Sequence, residues 1–96
     1  MQKNDQLFMQ LLYMFHTSAM QGLGKITDPT GTLSKNIEYA GQTIDLIEML
    51  KEKTKGNIKI DVEKVINEML SELRLNYIDE KNKSTEKIVE KKKKNI

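Results

Sequence analysis

At 96 residues, with no cysteine and one histidine, the chain has room for a single domain and excludes a disulfide framework or a Cys/His structural metal site. Its formal charge of +2 hides an asymmetry, since residues 1–50 carry three lysines against five acids and residues 51–96 carry thirteen basic residues against nine acids. A core this small rarely supplies more than about 5 kcal/mol unaided, and with disulfides and metals set aside, self-association is the remaining source of added stability.

The first helix is expected from about residue 5 to 23, with Asn4 or Asp5 as N-cap and Gly22 or Gly24 as the left-handed stop. Its apolar arc is very wide. Leu7, Phe8, Leu11, Leu12, Phe15, Ala19 and Leu23 form one face at helical spacing, while Met9, Tyr13, His16 and Met20 form a second on the opposite side. A helix apolar nearly all round is expected to be buried nearly all round. Residues 6–24 contain no Asp, Glu, Lys or Arg, a length that approaches a bilayer span. Gln10, His16, Thr17, Ser18 and Gln21 interrupt it with groups that are costly in hydrocarbon, so no membrane span is expected. Residues 1–5 carry both signs of charge and no small-residue cleavage site follows, which points to a cytoplasmic protein.

A loop follows, in which Asp28-Pro29-Thr30-Gly31 reads as a type I turn, because proline presets the backbone at its second position. The second helix is expected over about 33–55, starting at Thr32 or Ser34. Leu33, Ile37, Ala40, Ile44 and Ile47 supply the seam of a helix pair, and Leu46, Met49 and Leu50 broaden it. Lys53 and Lys55 complement the negative end of the helix dipole, and Gly56 is placed as the C-cap glycine. The third helix, over about 61–79, shows Val62, Val65, Ile66, Met69, Leu70, Leu73 and Tyr77 at i, i+3, i+4, i+7 spacing. The short connection joins helices two and three as an antiparallel hairpin, which helix one covers. Residues 80–96 read as a basic, disordered tail, because residues 81–94 hold seven lysines against Glu86 and Glu90. The fold class is all-α, three amphipathic helices in one domain over 1–79.

Residues 43–57, T-I-D-L-I-E-M-L-K-E-K-T-K-G-N, followed by L-S-E-L-R-L-N-Y at 70–77, resemble a small bacterial family of unknown function. The similarity extends upstream through residues 11–23 and the Asp28-Pro29 loop. It covers roughly residues 8–78 and leaves out the tail. The resemblance implies a helical module and no particular activity. It also singles out Asp45, Lys53, Asn57 and Arg74, without distinguishing stability from contact as their role. One departure lies at the start of helix three, where the family tends to place a Ser or Thr cap and this chain has Lys59-Ile60-Asp61-Val62-Glu63, leaving Asp61 as the expected cap.

His16 is the one side chain that titrates near neutrality unperturbed, but no nucleophile stands beside it, since Thr17 and Ser18 project from different sides of the helix. Gly22-Leu23-Gly24-Lys25 and Lys55-Gly56-Asn57 lack the preceding strand, glycine spacing and Ser/Thr of a phosphate loop. Helix capping explains both. Neither enzymatic activity nor a cofactor or metal is expected. Asp45 and Arg74 lie at comparable heights across the hairpin and form a candidate interhelix pair, worth under about 1 kcal/mol if exposed. Met9, Tyr13, His16 and Met20 form the candidate interface, because methionine and aromatics suit interface cores. The expected role is therefore an interaction or scaffold module, self-associating through helix one as a homo-oligomer, with a dimer favoured, or meeting another protein. The alternative is a ribosome- or nucleic-acid-associated accessory factor. It would use Lys91, Lys92, Lys93 and Lys94 as a polyanion contact, through nonspecific phosphate attraction alone, because no aromatic is interleaved to stack on bases.

Overall fold

Three helices, α1 (Lys3–Gly22), α2 (Ile37–Lys53) and α3 (Ile60–Lys94), make up the regular structure. The computed structural model describes the backbone of residues 2–94 and the side chains of residues 2–83.

Each helix boundary has a local cause. At the start of α1, Gln2 holds the N-cap position with no side-chain hydrogen bond, and Asp5 lies inside the first turn, where a carboxylate complements the helix dipole. The other end closes on Gly24, at φ 75°. The Gly24 N–H donates to Gln21 O at 3.0 Å and the Lys25 N–H to Met20 O at 2.9 Å, the paired bonds of a Schellman stop. In the loop, the Gly31 N–H donates to Asp28 O at 2.9 Å, closing the expected turn. Asp28 Oδ1 accepts from the Thr30 hydroxyl, the Thr32 N–H and the Thr30 N–H. The Thr30 hydroxyl first, and then the backbone donors, hold the Asp28 carboxyl below its ordinary pKa.

α2 begins at Ile37, later than the expected start near 33. Asn36 is the reason: its backbone is extended and its Oδ1 accepts the Tyr39 N–H at 3.0 Å, a stronger cap than Thr32 or Ser34 finds in this loop. Leu33 consequently falls outside the helix and is exposed rather than part of a seam. α3 begins at Ile60, with the Lys59 carbonyl accepting from Val62 and Glu63. Asp61 and Glu63 both stand within its first turn, so Asp61 is not the cap.

α3 then runs to Lys94, well past the expected end at 79. No glycine or proline follows Gly56, and the lysines and glutamates of this stretch are good helix formers. The residues read as a disordered tail are therefore helical through Lys94, and Glu80 belongs to the packed body, only 6% exposed. The side chains of residues 84–96 lie outside the described residues.

The core joins Leu12, Ala19 and Leu23 to Ala40, Ile44 and Ile47 of α2 and to Val62, Ile66, Met69, Leu70 and Leu73 of α3. Ion pairs link Asp5 to Lys59 and Lys25 to Glu80, and His16 lies against Glu72. Numbering thus rises together along α1 and α3, which run parallel, and α2 returns between them. α1 lies chiefly against α2. The approach is closest at Gly22, where the Asn36 N–H donates to Gly22 O at 2.7 Å and an added Cβ would stand 3.1 Å from both Ala40 Cβ and Asn36 O. Among the described residues no helix is long and apolar enough to cross a membrane.

Candidate interaction face

α1 packs against two helices at once, and that divides its surface into three sectors. Leu12 and Ala19 point into the core, Gly22 abuts α2, and His16 Nε2 lies 3.7 Å from a Glu72 carboxylate oxygen on α3. Met9 and Met20 are partly buried against the core. Of the four residues read from sequence as an interface, Met9, His16 and Met20 are partly buried within the chain, and Tyr13 is open, 53% exposed. The physical reason is angular. A helix flanked by two neighbours needs an apolar arc wide enough for both, and Met9, His16 and Met20 belong to the part of that arc turned to α3.

The third sector faces outward. Leu7, Leu11 and Met14 are 51%, 37% and 61% exposed, although Leu7 and Leu11 were expected on the buried face. With Ser18 and Gln21 they follow the alternating four-and-three spacing of a helix-pairing seam. A shallow groove of about 400 Å³ runs beside them, lined by Gln10, Tyr13, Met14, Thr17, Ser18 and Gln21. None of these side chains is charged. On α2, Tyr39, Gln42, Leu46 and Met49 are exposed and follow the same kind of spacing. The contact of Gly22 with Ala40 fixes the antiparallel register of α1 and α2, which sets Leu46 at the level of His16 and Met49 at the level of Tyr13. The sequence signal for this face was the coincidence of a 7-11-14-18 seam with a charge-free stretch.

The polar contacts differ from the expected ones. Arg74 Nη2 pairs with Glu48 at 2.9 Å, not with Asp45, which lies one turn earlier on α2 and lines the same cleft. That cleft, about 360 Å³ between α2 and α3, is also lined by Glu38, Gly41 and Tyr77, and the Tyr77 ring stands 3.2 Å from where a Gly41 Cβ would be. Lys53 occupies the last turn of α2, and the Asn57 N–H donates to Thr54 O at 2.8 Å. Both are placed to finish a helix. The side chains of Lys91, Lys92, Lys93 and Lys94 lie outside the described residues.

Sequence reading did not anticipate the ionic cluster at Glu80. Lys25 Nζ donates to Glu80 Oε1 at 2.8 Å, Lys35 Nζ reaches Oε2, and Lys83 Nζ lies 3.4 Å from Oε1. The Lys25 and Lys35 hydrogen bonds outweigh burial and hold the Glu80 pKa at about 2, below its ordinary 4.5. Asp79 and Glu80 raise that of Lys83. Because Lys25 and Lys35 flank the α1–α2 loop, Glu80 ties that loop to α3.

Among the described residues no group of three or more His, Cys, Asp or Glu is placed to hold a metal. No curated protein and no solved structure matches the chain. The model of a domain of unknown function, DUF1844, matches residues 5–79, a span that takes in the core and ends one residue before Glu80, and the chain belongs to that family.

Proposed function

We propose that the protein is a non-enzymatic interaction or scaffold module that docks through the outward face of α1, with self-association ahead of a different protein partner. The observation that carries this is the solvent-facing sector of α1, which exposes Leu7, Leu11, Tyr13 and Met14 in a stretch without a charged side chain. Solvent-facing helix surfaces are ordinarily covered with charge, and a contiguous exposed apolar patch marks an interaction site. His16 faces a carboxylate on a neighbouring helix, an arrangement suited to packing α1 on α3 and lacking a nucleophile to activate.

Light scattering on Met14→Glu and Ile60→Glu tests the reading. Both residues are widely exposed, so neither change disturbs the core. Wild type and Ile60→Glu are expected at a multiple of the chain mass and Met14→Glu at the single-chain mass. A single-chain mass for wild type at high micromolar concentration, or an unchanged mass for Met14→Glu, would overturn it.

A second reading, polyanion binding by the C-terminal end, draws support from the continuous helix that carries seven lysines over residues 81–94. It requires that RNA binding fall steeply with salt and vanish on deletion of residues 81–96.

A further inference from the structure

We propose that the occupant of the outward face is a second copy of this chain, related by a two-fold axis that passes between Leu11 and Met14, with the two α1 helices antiparallel. This rests on the self-association reading above and specifies its geometry.

Three observations select that partner and that arrangement. The first is charge. A foreign partner is ordinarily guided by complementary charges, but residues 6–24 carry none. An isologous interface sets each patch against its own image, so groups near the axis meet their own kind, and an uncharged seam meets this requirement without repulsion. The second is area. The seven large side chains left exposed on these two helices, four on α1 and three on α2, offer on the order of 500 Å² per copy, so a symmetric pair reaches the roughly 1,000 Å² in total that a specific interface needs.

The third observation fixes the orientation. α3 runs parallel to α1 and continues to Lys94 beyond the Lys25–Glu80 pair at the far end of α1. Parallel pairing of two α1 helices would bring both lysine-rich helix ends side by side. Antiparallel pairing sends them to opposite ends of the dimer and opposes the two helix dipoles. In that register Leu11 meets the partner copy's Met14, and Leu7 meets the partner copy's Ser18, a small residue that leaves room for it. Leu46, on the flanking helix, closes the edge.

Disulfide trapping tests the geometry, because the chain has no cysteine of its own and a disulfide forms only when Cα atoms approach within about 7 Å. Wild type is first weighed by sedimentation. An equimolar mixture of Leu7→Cys and Ser18→Cys chains, mildly oxidised, is expected to give a covalent mixed dimer, and Leu7→Cys alone to give none. A dimer that traps Leu7→Cys with itself, or that traps neither combination, overturns the antiparallel arrangement and leaves the self-association reading standing. A monomer by sedimentation overturns both.

Discussion

Glu80 shows how one side chain fixes a loop. Its two carboxylate oxygens are shared among Lys25, Lys35 and Lys83, and Glu80→Gln removes the charge while keeping the shape. The lysines are partly exposed and partly screened, so the expected loss is about 1–2 kcal/mol by chemical denaturation at neutral pH. The pH dependence has a definite sign. The folded-state pKa lies below the ordinary value, so the stabilisation is present above about 4.5 and is lost as pH falls towards about 2. The stability difference between wild type and Glu80→Gln is therefore expected to shrink across that window; a constant difference would show that the charge is not its source. At Gly22 the surroundings are backbone and a methyl group of α2, so Gly22→Ala gains helix propensity but wedges α2 away. A net fall in melting temperature is expected, and a rise would show that α2 can shift to admit the methyl.

Helix ends were the least legible parts of the sequence, because several residues competed for each role. Thr32, Ser34 and Asn36 are all plausible caps by type, and the loop geometry selects Asn36, whose Oδ1 meets the Tyr39 N–H. Asn36→Ala is expected to cost about 1 kcal/mol, whereas Ser34→Ala stays within about 0.5 kcal/mol. Equal effects in thermal unfolding would contradict the assignment. The three helices, the Asp28 turn and the core of α3 were readable from periodicity and turn chemistry. The end of α3 was not, since a lysine-rich composition suggests disorder while the absence of glycine and proline permits helix. The outward face of α1 was hard to place for a different reason: periodicity reveals how wide an apolar arc is, but not which neighbour covers which part. Met9 and Met20 pack, partly buried, against the core, and Leu7, Leu11 and Met14 stand outside.

At the scale of the whole molecule, the chain separates its chemistry by position. Uncharged apolar surface is gathered on α1 and the adjoining edge of α2, the ionic contacts bind α3 to the other elements, and the lysine excess lies on the far end of α3. Extents of 60 × 29 × 16 Å describe a flat, elongated body, whose long dimension follows the 35 residues of α3 at about 1.5 Å of rise per residue. An interface without charge is insensitive to screening, whereas association through the lysine-rich end would weaken as salt rises. Sedimentation equilibrium of the full chain at low and high salt therefore tests the central claim most directly. The account predicts a dimer whose dissociation constant is the same at both ionic strengths, and a single-chain mass throughout, or a dimer that dissociates as salt rises, would contradict it.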